Sequence, residues 1–400
     1  MTVVSEASTS EADRMALVTW SAIAEPGDAI ANALVGVLGP SKALEWARLA
    51  LTDPVGASLD LGSVANRDLV DRALAAVERW RQRDSAWDPE PHLERAEKVG
   101  ARVIARGDPE WPTEVDDLGG AAPYCLWARG PQSIREAWSR SIAIVGSRSS
   151  TAYGEHVAAM LAGELAEMGH VVISGGAYGI DARAHRAALA VGGVTVAVMA
   201  GGVDRLYPEG NTELLTRMLE TGAIVGELPP GYAPYRSRFL TRNRIIAAAR
   251  TTVVVEAANR SGALSTASHA AGLGRPVAAI PGPVTSAGSC GCHRLIRDGA
   301  VLVSNARDVR DLIEPFDAAR EGGSEDLRQP QGLRSPQMTF TSPGHRQAYD
   351  AITRRGSTIG EVAERAGLSP MEARSALGGL LLAGSVLKEG DTWRRVPMRT

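Results

Sequence analysis

Over roughly the first quarter of the chain, apolar positions recur at helical spacing. Residues 12–23, 28–38, 41–51 and 66–81 each carry such a pattern between Gly and Pro breaks. They predict a small helical domain over residues 1–98. Gly36-Val37-Leu38-Gly39 has the form of a helix-hairpin-helix turn, though a plain helix–helix turn is the simpler reading. Residues 100–135 are less regular and read as a packed connection. From Ser141 onward, short apolar runs at 142–145, 171–173, 194–199, 223–225, 252–255, 277–280 and 300–303 alternate with helical segments. Continuous apolar strands alternating with helices predict a parallel sheet covered on both faces, a Rossmann-like doubly wound α/β core over residues 99–314. Residues 315–342 are rich in Gly, Ser, Pro, Gln and charge and read as a linker. Residues 343–400 predict helices at 345–354, 359–366 and 370–382. A hairpin follows from 385–388 and 392–396 around Glu389-Gly390-Asp391. Three helices and a hairpin in that order predict a winged helix.

Composition narrows the function classes. The 400 residues are 44% hydrophobic, enough for a large core. No apolar run approaches membrane-spanning length. The polar, acidic start at residues 1–14 lacks the features of a signal peptide, so a cytoplasmic protein is expected. Cys125, Cys290 and Cys292 cannot form a disulfide framework. The net charge of −3 argues against a general nucleic-acid coat but leaves room for a local basic site.

Candidate chemistry gathers where strands end. Gly146-Ser147-Arg148-Ser149-Ser150, Ser174-Gly175-Gly176-Ala177, Ala200-Gly201-Gly202, Arg260-Ser261-Gly262-Ala263 and Pro281-Gly282-Pro283 all follow predicted strands. Any one could be a simple tight turn. Together they form an edge where backbone and helix N-termini are open to anions. No loop matches a dinucleotide or Walker A motif, and several weak cradles suit a polymer of phosphates. Residues 231–250, GYAPYRSRFLTRNRIIAAAR, hold Arg236, Arg238, Arg242, Arg244 and Arg250 with no acid, interleaved with Tyr232, Tyr235 and Phe239 in a protein only 4% aromatic. Arginine neutralises phosphate and an aromatic face stacks on an unpaired base, so the combination points to single strands. The competing reading is a solvated basic helix with a core Phe.

Asp181 and His185 stand four apart and could form an acid/base pair. An Asp at a helix N-terminus paired with a packed His is the blander and preferred reading. Cys290-Gly291-Cys292-His293 has no second ligand pair, so a metal-free loop is expected.

Several of these strings, taken in order, resemble the bacterial DNA-processing protein A (DprA/Smf) family. They are Gly146-Ser147-Arg148, Ser174 through Asp181 with Ala184-His185, Phe239 through Ala247, Val255-Glu256-Ala257 with Ser261 through Ala267, and Pro281-Gly282 ahead of Gly291 through Ala300. The strong resemblance covers about residues 100–314. It implies sequence-independent single-stranded DNA binding, loading of the RecA recombinase in natural transformation, a homodimer, and no enzymatic activity or cofactor. Carried over by residue, it implies DNA contacts from Arg148, Gly175, Gly176, Ala177, Arg236, Phe239, Arg242, Asn243 and Arg244. Ser147, Ser261 and Gly262 are added from the loops beside them. Arg236 stands where some members have lysine.

Two other classes remain open. A Rossmann-type nucleotide-processing enzyme of the phosphoribohydrolase kind would carry P-G-G-x-G-T-x-x-E, from which Pro281-Gly282-Pro283 departs at its third position. A transcription regulator would act through the tail, but its third helix has one arginine, Arg374, offset by Glu372. Lys388, Trp393, Arg394 and Arg395 could still give the hairpin some DNA contact. Removal of residues 344–400 is therefore expected not to abolish single-strand binding in a gel-shift titration. Complete loss would place the principal site in the tail.

Overall fold

The computed structural model describes residues 9–83, 86–313, 343–353, 356–382, 386–389 and 392–395. It divides into two units, Met1–Gly323 and Ser324–Thr400.

The first unit opens with helices α1 (Glu11–Ile23), α2 (Ala29–Leu38), α3 (Pro40–Thr52), α4 (Pro54–Gly62), α5 (Arg67–Arg81) and α6 (Glu90–Lys98). Side-chain caps from Ser10, Asp28, Asp53 and Asn66 start α1, α2, α4 and α5. The sequence pattern missed α4 and α6. Both carry proline in the first turn, where its missing N–H costs nothing, whereas in the sequence such prolines look like breaks.

The sheet comprises β1 (Ala101–Ala105), β2 (Cys125–Arg129), β3 (Ser141–Val145), β4 (Val171–Ser174), β5 (Thr195–Met199), β6 (Ala223–Gly226), β7 (Thr251–Val254), β8 (Val277–Ala279) and β9 (Val301–Leu302). Their spatial order is β1-β2-β6-β5-β4-β3-β7-β8-β9. β3 to β9 are mutually parallel; β2 pairs antiparallel with β6, and β1 with β2. The doubly wound, mostly parallel Rossmann-like core is thus present. The antiparallel extension takes the place of the expected packed connection; a 3-10 segment, Thr113–Ala121, separates its two short strands and hides them in the sequence.

Helices α7 (Ile134–Ser139), α8 (Ala152–Glu167), α9 (Ile180–Ala190), α10 (Thr212–Thr221), α11 (Arg236–Ala247), α12 (Gly262–Gly272), α13 (Cys290–Arg297) and α14 (Ala306–Arg310) complete the unit. Side chains alternate across β3: Ile142 and Ile144 share a cluster with α8 and α9, while Ala143 and Val145 share one with α11 and α12. From β3 the chain winds outward through β4, β5 and β6, then returns to place β7 on the other side. The crevice beyond the carboxyl ends of β3 and β7 is therefore a topological switch point.

The N-terminal helices do not close a core of their own. Trp20, Trp46 and Trp80 lie in one apolar cluster with Trp127 of β2, Ala197 of β5 and Leu215 of α10. Trp20 is fully buried, meets Trp80 edge-on at 5.1 Å and donates to Pro40 O at 3.2 Å.

The second unit has α15 (Pro343–Ala351), α16 (Ile359–Ala366), α17 (Pro370–Leu382) and an antiparallel hairpin, β10 (Val386–Glu389) with β11 (Thr392–Arg395). Its core includes Tyr349, Ile352, Val362, Leu377, Leu380 and Trp393. Thr358 and Glu361 form a capping box on α16, and Ser369 Oγ accepts from Glu372 N at 3.3 Å. The linker expected at 315–342, the Glu389–Asp391 turn at residues 390–391, and the expected element ends at 354, 385 and 396 lie outside the described residues.

Trp20→Ala should lower the stability of the first unit by about 3–5 kcal/mol. Because the core is shared, hydrogen exchange should show β5 and β6 losing protection together with α1. Loss confined to the helices would contradict a shared core.

Candidate nucleic-acid interface

A groove of about 600 Å³ opens at the switch point, lined by Gly146, Ser147, Arg148, Ala177, Asp181, Arg236, Phe239, Arg242, Asn243, Arg260, Ser261 and Gly262, among others. The end of β3, the β4–α9 loop, the β7–α12 loop and one face of α11 therefore converge there. Nine of the twelve residues expected from the sequence line it, namely Ser147, Arg148, Ala177, Arg236, Phe239, Arg242, Asn243, Ser261 and Gly262; Gly175, Gly176 and Arg244 do not, while Asp181 and Arg260 join.

The arginines of the basic stretch fall into two groups. Arg236 is exposed at the start of α11, as are Arg148 and Arg260 on the facing loops, and among the described residues none of the three is in an ion pair. Arg238, Arg242 and Arg244 are buried. Arg244 donates to both carboxylate oxygens of Glu227, at 2.8 and 2.6 Å, and to Ala121 O at 2.7 Å. Arg242 lies under the groove and donates to Gly175 O at 3.0 Å and to Val198 O. Burial pulls its pKa down to about 10, opposed by Asp181, so it stays charged at neutral pH. Arg238 donates to Glu25 at 3.0 and 2.8 Å. Arg250 donates to Ser139 O at 3.1 Å.

Phe239 is half-buried on the groove wall. The Arg148 guanidinium lies 5.3 Å from its ring centre and that of Arg242 5.9 Å. Tyr207, exposed and 5.6 Å away, extends the aromatic surface. Asn243 Nδ2 donates to Gly262 O at 3.2 Å, tying α11 to the start of α12. Ser261 caps α12, accepting from Ala263 N at 3.3 Å, and Ser147 Oγ accepts from Ser149 N at 3.2 Å.

The Gly175–Ala177 loop is occupied from within. Asp181 accepts from Gly175 N at 3.1 Å and Ala177 N at 3.4 Å, and Gly176 O accepts from Asn211. A Cβ on Gly175 would meet Arg242 and Asp181 at under 3 Å, so glycine is needed for their close approach. Burial raises the Asp181 pKa against the pull of Arg242. Glu256 likewise fills the start of α8, accepting from Thr151 N at 2.9 Å.

Asp181 and His185 are not partners. His185 is fully buried, and its Nδ1 meets Thr195 Oγ1 at 2.7 Å. That hydroxyl gives its proton to Val172 O, so Nδ1 must donate. Here the structure corrects the expected Asp–His pairing: a strand hydroxyl takes the Nδ1 side of the ring instead, and the buried Nε2 meets no partner among the described residues. Cys292 Sγ faces Val254 O and Val255 O, and His293 Nε2 faces Gly282 O at 3.0 Å. No group of three metal-ligating side chains occurs among the described residues. No described helix is long and apolar enough to cross a membrane.

The sequence reading did not single out Arg260 or Tyr207 as site residues. Arg260 was visible only as part of a Gly/Ser-rich loop, and Tyr207 lies outside every motif.

The family description "DNA recombination-mediator protein A" matches residues 102–314. The chain is 42% identical over 386 residues to the DNA processing protein DprA of Mycobacterium tuberculosis, covering 94% of this chain and 92% of that protein. It is 36% identical over 271 residues to the protein Smf of Escherichia coli, covering 66% and 69%. The solved DNA processing protein A (DprA) of Streptococcus pneumoniae aligns with a TM-score of 0.53 at 32% identity, covering 64% of this chain and 90% of that one.

Burial lowers the His185 pKa from 6.5 to about 3. As pH falls below 6.5 the unfolded chain takes up a proton that the folded chain refuses, so stability is lost progressively toward pH 3, by up to about 1.4 kcal/mol per pH unit. Urea titrations of His185→Gln should show a shallower acid decline than the parent. Identical slopes would contradict a buried neutral imidazole.

Proposed function

The chain belongs to the DNA recombination-mediator protein A family, and from that premise we propose that the groove binds single-stranded DNA without regard to sequence. The observation that carries this reading is the set of three exposed, unpaired arginines, Arg148, Arg236 and Arg260, around the accessible ring of Phe239. Cations along one groove neutralise phosphates, while the ring offers a stacking face that paired bases cannot use. Ser147, Ser261, Gly262, Asn243 and Ala177 form the walls. Arg242 contributes charge from below, and Gly175, Gly176 and Arg244 act by shaping and holding the groove.

The reading extends to the partners. The protein loads the RecA recombinase onto the bound strand, acts as a homodimer in the cytoplasm, and serves DNA processing in natural transformation. Family membership supports each of these. The tail is read as a winged helix on its order of three helices and a hairpin. A binding role rather than catalysis is supported by the internal partners of Asp181 and His185.

Arg148→Ala and Arg236→Ala should each weaken oligo-dT binding at low salt and reduce the slope of log affinity against log salt by about 0.7. Phe239→Ala should weaken binding by about 1–3 kcal/mol with the slope unchanged. Fluorescence titration of oligo-dT, with duplex and mononucleotide as controls, checks all three. Unchanged affinity in every variant, or preference for duplex, would overturn the reading.

A further inference from the structure

Helix α11 presents two faces. Arg236, Phe239, Leu240, Asn243 and Ile246 look into the groove. Arg238, Thr241 and Arg244 look the other way, onto the loop after α1 and the end of β6. The groove-facing Arg236 and Phe239 stand on the first turn.

That first turn is weak by itself. It has no side-chain cap and no acidic residue, and it begins with arginine. Positive charge at a helix N-terminus opposes the helix dipole. Two elements compensate. The Arg238 guanidinium donates to Ala233 O at 2.7 Å, closing the turn from below, and stacks 4.7 Å from the Tyr235 ring. Its remaining donors go to the two carboxylate oxygens of Glu25, a bidentate pair that brings a negative charge to the deficient end of the helix.

Glu25 is itself held by the N-terminal helices. It pairs with Arg83, whose guanidinium also donates to Ala22 O and Ala24 O at 3.1 Å. Tyr232, just before α11, donates to the same Ala22 O at 3.1 Å. Two residues on, the loop turns at Gly27 with φ of 74°, where an added Cβ would press on Thr241 at 3.3 Å. Asp28 then caps α2 and accepts from Trp80 Nε1 at 3.1 Å. A continuous set of contacts thus runs from the helical segment through Glu25 to the turn that carries Arg236 and Phe239.

We propose that Glu25 is a positioning residue for single-strand binding: through Arg238 it sets the first turn of α11, and the N-terminal helices serve as the brace of the DNA groove. This rests on the reading of the groove as a single-strand site.

The proposal makes a prediction opposite in sign to simple electrostatics. Glu25 is about half exposed, with 53% of its side chain accessible. Removing such a carboxylate beside a polyanion site should by charge alone tighten binding. A brace predicts weaker binding. The full-length protein is titrated with labelled oligo-dT, and its melting temperature is measured alongside. Glu25→Gln should raise Kd about tenfold, with the salt slope unchanged because no phosphate contact is lost. Glu25→Asp should restore part of the affinity. Arg238→Gln should match Glu25→Gln, and the double variant should be no weaker than either single one. Arg238→Lys, which keeps the charge but not the bidentate geometry, should shift Kd in the same direction by less.

Unchanged or tighter binding in Glu25→Gln overturns the proposal, as does a fall in melting temperature with Kd unmoved. Phe239→Ala separates the two readings. If it weakens binding while Glu25→Gln does not, the brace alone fails. If it has no effect, the groove assignment fails and the proposal with it.

Discussion

The architecture of the groove depends on the pairing of buried guanidinium charge. One short helix, α11, places three arginines out of solvent, and each is met by acceptors brought from elsewhere: Glu227 after β6 for Arg244, the carbonyls of Gly175 and Val198 under the groove for Arg242, with the charge of Asp181 nearby, and Glu25 after α1 for Arg238. A buried charge without such partners costs several kcal/mol, and breaking the pair that is buried on both sides, Arg244–Glu227, leaves the other group stranded at a cost of about 3–5 kcal/mol. The pairing therefore specifies where α11 sits, and α11 in turn decides which side chains face the groove.

The same pairing sorts function from scaffold. In a protein of net charge −3, a binding surface for a polyanion must come from cations that no internal acid consumes. Arg148, Arg236 and Arg260 meet that condition, and they line one groove with the Phe239 ring at the switch point of the sheet, Arg148 lying against that ring. Glu256 and Asp181 do the reverse at neighbouring loops: they occupy N–H groups that would otherwise attract an anion. Those neighbouring loops therefore have N–H groups already taken by internal carboxylates, whereas the groove keeps cations that none of them consumes.

Much of this was legible in the sequence, for definable reasons. Strands buried on both faces show as continuous apolar runs, so β3 to β8 stand out; the exposed edge strand β9 shares the apolar run without the burial. The loops that follow them carry Gly and Ser because backbone and side chains approach closely there, as Arg242 and Asp181 do at Gly175. The antiparallel strands β1 and β2 and the helices α4 and α6 were hidden by prolines at legitimate starting positions and by an intervening 3-10 turn. The division of labour among the arginines could not be read at all. The basic stretch shows five similar residues, whereas the carboxylate that claims Arg238 is 213 positions away and the one that claims Arg244 is 17. Only the folded chain reveals which cations remain free.

The N-terminal helices also take on a clearer place. They share one apolar cluster with the sheet rather than packing apart from it, and their loop meets the anchored face of α11. The central claim is that single-stranded DNA lies in the groove against Phe239. Photo-cross-linking with an oligonucleotide carrying 5-iodouracil, followed by peptide mapping, tests it most directly. Adducts on the peptide containing Phe239, competed away by unlabelled oligo-dT, are the predicted result. Adducts confined to the hairpin residues 386–395, with none in the groove, would contradict it.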